Sequence, residues 1–156
     1  MSSGKWYWEM HLQAIGGAYP TIGIGMGSSY DIFVTNSGVG NQTYGYGYLS
    51  AGSTNSKGNN GSYSAFGDSF SSGDVLSFAL DMDNYKFYAA KNGTWQDSGD
   101  PTSGATGTGA MFTVNADQTY LPCNSGNNSV QFEYNFGNGY FGTTLITSPE
   151  ADDAGI

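Results

Sequence analysis

The chain is poor in the residues around which many catalytic and metal centres are built: 156 residues hold one cysteine, one histidine and four basic side chains. With Cys123 alone, no intrachain disulfide and no cysteine-based zinc site is possible. Its setting, Tyr120-Leu121-Pro122-Cys123, reads as a strand entering the core and predicts a buried, inert thiol. His11 alone rules out a multi-histidine metal site, and there is no Gly-x-Ser-x-Gly elbow to present a nucleophile. Thirteen acidic against four basic residues give a net charge of −9, which repels nucleic-acid phosphates and anionic membranes and favours solubility. No apolar run is long enough for a membrane-spanning helix, and no basic-then-apolar signal peptide opens the chain. Nor do apolar residues recur at helical spacing over a helix-length window without a glycine interrupting, so no long helix is expected.

What is abundant is glycine, 25 residues, and aromatic residues, 15% of the chain, with only 11% charged. That balance, at a length suited to one domain, is an all-β composition of many turns and bulky strand residues. Gly73 to Trp95 reads as a β-meander: Val75 to Leu80 favours a strand, Asp81 to Asn84 a turn, Lys86 to Ala90 a second strand and Asn92-Gly93 a second turn. Lys5 to Leu12 alternates, with Trp6, Trp8, Met10 and Leu12 predicted to face the core. Thr21 to Met26 sets Ile22, Ile24 and Met26 against Gly23 and Gly25, and a strand or loop is expected to cover the glycine side. Thr43 to Ser50, Ser62 to Phe66, Met111 to Val114, Thr119 to Cys123 and Ser129 to Phe136 are further strand candidates. Residues 27–42, 50–64 and 96–109 read as long polar connections, the second as a flexible loop with too little apolar surface to pack. Residues 138–156 read as an irregular, acidic C-terminal segment.

The stretch GDVLSFALDMDNYKFYAAKNGTW resembles the central block of SPRY domains, with its GD-led strand, ALD-x-D turn and closing KNG. Ser3-Gly4-Lys5-Trp6-Tyr7-Trp8-Glu9 is similar to that family's early SGKxYWE strand, Ile22-Gly23-Ile24-Gly25 to the strand that follows, and Asn135-Phe136-Gly137 to a late NFG. The four blocks stand in the family's order. The resemblance implies a concanavalin A-like, two-sheet antiparallel β-sandwich (a jelly roll) that binds proteins and sometimes other ligands, without a cofactor. The family has strand material on both sides of these blocks, so the chain is expected to be a fragment of a longer protein. Its Gly/Ser/Thr/Asn-rich, lysine-poor character resembles the SPRY-type modules of large marine bacteriophage virion proteins.

Several side chains invite a chemical reading. Asp81, Asp83 and Asn84, with Asp97 and Asp100 nearby in sequence, could seed a calcium site, but a hairpin turn wants the same residues, and a turn is expected. Glu9 and Glu133 could serve a jelly-roll glycosidase, which needs two facing carboxylates, yet no Glu-x-Asp-x-x-Glu strand exists and no enzyme is expected. Trp6, Trp8, Phe78, Phe132 and Phe136 are assigned to the core. The aromatics best placed to bind a ligand from loop edges are Tyr19, Tyr30, Tyr85 and Trp95. The expectation is a non-catalytic recognition module of a virion structural or tail-associated protein, binding through loops at one rim, chiefly 27–42, 50–64 and 96–109, with a protein or glycan ligand or a neighbouring virion subunit as partner. The alternative is an architectural spacer or decoration.

Overall fold

The structure, a computed structural model, describes residues 1–15, 20–26, 38–51, 54–126, 130–137, 139–141 and 144–145. They form an all-β sandwich of two antiparallel sheets. The strands, in chain order, are β1 (Lys5–Ala14), β2 (Thr21–Met26), β3 (Tyr46–Ala51), β4 (Thr54–Asn59), β5 (Ser62–Ala65), β6 (Val75–Asp81), β7 (Lys86–Lys91), β8 (Thr94–Trp95), β9 (Phe112–Thr113), β10 (Tyr120–Ser125), β11 (Gln131–Asn135), β12 (Tyr140–Phe141) and β13 (Thr144–Leu145). One sheet runs β11-β1-β6-β7-β8, with β9 also on β7, and the other runs β10-β2-β3-β4-β5.

Period-two alternation delivers the core. Trp8, Met10, Leu12, Leu76, Phe78, Leu80 and Phe87 from the first sheet meet Ile22, Ile24, Tyr46, Tyr48 and Tyr120 from the second. The 3₁₀ turn Val39–Asn41 covers the glycine side of β2 and β3, as a covering loop was expected to do, and Val39 is buried there. Gly40 lies against Gly58, and a methyl group at Gly47 would press on Thr21 Cγ2, so small residues let the turn descend onto the sheet.

The β6–β7 turn is tied by Asp81, whose Oδ1 accepts the amides of Asp83 and Asn84, both at 3.0 Å, while Oδ2 accepts Asn84 Nδ2 at 2.9 Å. The turn reading of these residues holds, with both Asp81 oxygens engaged inside the hairpin.

Asp74 fastens the start of β6 to the next hairpin. It accepts Asn92 Nδ2 at 2.7 Å and the Ser71 amide at 2.8 Å, and Lys91 Nζ stands 3.3 Å away. Burial alone would raise this carboxyl, but the hydrogen bonds from Asn92, Ser71 and Lys91 outweigh it and hold it below the usual aspartate value. A lowered folded-state value means the stabilisation is present above the unfolded-state value, about 4, and is lost as pH falls through the folded one. Thermal unfolding followed from pH 6 to pH 2 should therefore show Asp74→Asn less stable than the parent at pH 6, with the gap closing below about pH 4. A gap that stays constant with pH would contradict the assignment.

Three expectations are corrected. Residues 50–64 are not a loop without packing: β4 and β5 form a hairpin in which Gly58 pairs with Tyr63 and the Tyr63 ring lies over the glycine. Trp6 and Phe136 do not fill the core and stand 47% and 64% exposed. Alternation assigns them to the inward face, but β11 pairs with β1 only from Glu9 onward, so among the described residues Trp6 has no neighbouring strand on that side, and Phe136 lies past the end of the edge strand β11. The segment from 138, expected to be irregular, contains the β12–β13 pair, and Phe141 is buried beside His11 with ring centroids 5.7 Å apart.

Candidate functional site

Of the four aromatics singled out from sequence, Tyr19 and Tyr30 lie outside the described residues. Tyr85 occupies the β6–β7 turn with φ +58°, exposed. Trp95 lies half-buried in β8, edge-on to Tyr88 with centroids 6.4 Å apart. Because Trp95 pairs with Ala90 and Tyr85 precedes Lys86, the two flank opposite ends of β7, about 17 Å apart along the strand.

The polar stretch 96–109 is held down over β7. Ser103 Oγ lies 3.3 Å from the Tyr88 hydroxyl, the Asp100 amide donates to Thr108 O at 3.0 Å, and Gly107 packs on the Lys86 stem. Its contribution is to wall the outer face of the first sheet.

Exposed apolar bulk instead gathers where β1 begins. Trp6 pairs with Leu80, next to the β6–β7 turn that carries Tyr85. Phe136 follows β11, whose last residue, Asn135, pairs with Glu9 of β1. It stacks on Tyr134, the rings nearly parallel with centroids 5.4 Å apart. Leu121 opens β10 beside Tyr120, which exchanges backbone hydrogen bonds with Met1. Trp6, Tyr85, Leu121 and Phe136 are four of the six exposed large hydrophobic residues; Trp6, Tyr85 and Phe136 are rooted at the start of β1, in the β6–β7 turn beside it and past the end of β11, whereas Leu121 faces the outside of the second sheet opposite Gly25. Tyr7, a fifth, is next to Trp6 and faces the outside of the first sheet. The Trp6 indole is fixed by donating Nε1–H to Ser3 O at 2.8 Å. The sequence signal that could have found this rim is position: Trp6 and Phe136 are the terminal members of their alternating sets.

The outer face of the first sheet carries a second group. Glu9 accepts the Tyr7 hydroxyl at 3.0 Å on Oε1 and Asn135 Nδ2 at 2.9 Å on Oε2. His11 Nδ1 stands 3.0 Å from Glu133 Oε2 on the neighbouring strand. Glu9 and Glu133 are diagonal neighbours on β1 and β11, and each already has a polar partner on this face of the sheet. Among the described residues, no three His, Cys, Asp or Glu side chains gather to hold a metal ion. Cys123 is half-buried in β10, and burial pushes its thiol up to about 12, so it is protonated at neutral pH and a poor nucleophile.

No protein-family model matches the chain, and no curated protein does.

Proposed function

We propose that the domain is a non-catalytic recognition module, similar to SPRY domains, that binds a protein or glycan on a bacterial surface through the aromatic rim at the start of β1. The observation that carries this reading is the exposure of Trp6, Tyr85 and Phe136 at the start of β1, the β6–β7 turn beside it and the end of β11, with Leu121 exposed on the neighbouring start of β10. Large aromatic side chains supply contact area at low entropic cost, and a preordered scaffold reduces the ordering lost on association. The four SPRY-like sequence blocks support the family reading, and the Gly/Ser/Thr/Asn-rich composition supports a place in a phage virion or tail assembly.

A Trp6→Ala, Phe136→Ala double variant is expected to bind marine bacterial cells, or the purified envelope fraction that retains the parent, at least about tenfold more weakly. Matched unfolding midpoints would show that the loss is not one of folding. Undiminished affinity in the folded variant would refute the rim.

One observation favours a purely architectural domain. β5 is an edge strand whose four residues, Ser62 to Ala65, are all exposed and carry neither charge nor proline, so its backbone is open to a neighbouring strand. On that reading the chain stays folded and binds no cell or envelope fraction.

A further inference from the structure

Among the described residues the two sheets have four lateral edges, and three of them are blunted. β10 carries Pro122, β11 carries Glu133, and the outer side of β7 is taken by β8 and β9, two residues each, with the 96–109 segment between them. The fourth edge, β5, has none of these devices. Residues 32–67, which include β3, β4 and β5, hold no Asp or Glu, although the chain has thirteen acidic residues. The one charged side chain in that span is Lys57 of β4, and its ammonium is drawn inward over the rings of Phe66 and Phe112, 5.4 and 5.6 Å from their centroids. Two copies of this acidic chain can therefore bring their β5 edges together with the carboxylates kept elsewhere.

Register shows which backbone groups β5 leaves open. Asn60 and Gly61 have φ of +51° and +73° and form the two-residue turn between β4 and β5. The pair that closes such a turn, Asn59 with Ser62, is hydrogen-bonded, and the pattern alternates from there: Ser64 bonds to Lys57, and the Phe66 amide donates to Asn55 O at 3.4 Å. The N–H and C=O groups of Tyr63 and Ala65 therefore point away from β4. They are also held in place. The Asn60 and Gly61 amides donate to Gln42 O and Gly40 O, both at 3.0 Å, and the Tyr63 hydroxyl donates to Asn41 Oδ1 at 2.7 Å. At the other end of the strand, Asn55 Nδ2 donates to Phe66 O at 3.2 Å.

We propose that two copies of the chain pair antiparallel through β5, about a two-fold axis at Ser64, joining their second sheets into one. On that axis Ser64 faces its own copy and Tyr63 stands opposite Ala65 of the second copy, so every open group of both strands finds a partner. An axis at Tyr63 would leave the groups of both Ala65 residues open. The Tyr63 ring, which lies over Gly58 within its own chain, then meets a second small side chain across the new pair. This pairing goes beyond the recognition reading and does not depend on it, because the rim is built on other strands.

The test is sedimentation velocity of the full chain from about 5 to 500 μM. The strip is short, so a monomer–dimer equilibrium with a Kd between about 10 and 200 μM is expected. Ala65→Pro removes an outward N–H and spares the bonds to β4, so it should weaken the dimer at least about tenfold without moving the unfolding midpoint. Ser64→Cys places two thiols at a non-hydrogen-bonded pair with Cα atoms about 4.5 Å apart, within disulfide reach, and oxidised glutathione should convert it to a covalent dimer. Ser62→Cys, whose thiols would lie about 14 Å apart along the strands, should stay uncrosslinked like the parent. A parent that remains monomeric at the highest concentration would overturn self-pairing and leave the edge to a strand of another protein. A dimer indifferent to Ala65→Pro, or Ser62→Cys crosslinking as readily as Ser64→Cys, would place the contact elsewhere and overturn it as well. Should the proline variant not fold, the two cysteine variants decide the same question. Cell binding is not read in these experiments, so the rim reading stands or falls separately.

Discussion

Replacing Gly23 by alanine is expected to destabilise the domain by more than about 3 kcal/mol, a fall of about 8 °C or more in unfolding midpoint, or to prevent folding. Gly23 pairs with Gly47 in the middle of the second sheet. A methyl group there would overlap the Tyr46 carbonyl oxygen and crowd the Gly47 Cα. Both are backbone atoms of β3, so no side-chain rotation relieves the overlap. The strands must separate, and Tyr46 and Tyr48, which fill the core from β3, would shift with them. Circular dichroism melts of Gly23→Ala beside an exposed control, Ser64→Ala, check this. A midpoint within 2 °C of the parent, roughly the effect of an ordinary surface change, would mean that β2 and β3 do not approach as described.

Trp8→Ala is expected to cost about 3–5 kcal/mol, or about 8–14 °C. Trp8 stacks on Phe78 at 5.5 Å and on Phe87 at 6.0 Å, while Phe78 and Phe87 stand 5.7 Å apart. The three rings come from β1, β6 and β7, so removing the indole opens a void beneath the centre of the first sheet. Its Nε1–H is buried without a hydrogen-bond partner among the described residues. Trp8→Phe should accordingly cost much less than Trp8→Ala, because it keeps most of the ring contact and deletes an unpaired donor. Equal destabilisation by the two substitutions would show that the indole nitrogen, and not ring packing, holds this position.

The same residues show how far the sequence could be read. Alternation in Lys5 to Leu12 marked the buried face of β1 because each buried position meets an opposing side chain. It could not mark which inward positions lack a neighbouring strand, as Trp6 does beyond the β11 pairing, and so Trp6 was placed in the core. Thr54–Asn59 escaped notice because this strand is held between β3 and β5 mainly by backbone pairing and needs few apolar residues. It is anchored instead by Asn59, whose carboxamide donates to Thr43 O and Gly45 O, both at 2.9 Å. The Asp81 turn was legible because side-chain-to-backbone hydrogen bonding over two or three residues is a local property. The rim was not, because it is assembled from strands distant in sequence and only register brings them together. Tyr85 and Trp95 were both read as exposed aromatics; Tyr85 is exposed in the β6–β7 turn, whereas Trp95 is half-buried edge-on to Tyr88.

The most direct test of rim recognition is hydrogen–deuterium exchange of the chain, free and bound to the envelope fraction that retains it. The account predicts slowed exchange on binding in residues 5–7, 82–86, 120–122 and 135–137, where the rim side chains are rooted. Protection confined to residues 54–65, the open edge of the opposite sheet, would contradict it and assign that edge to assembly.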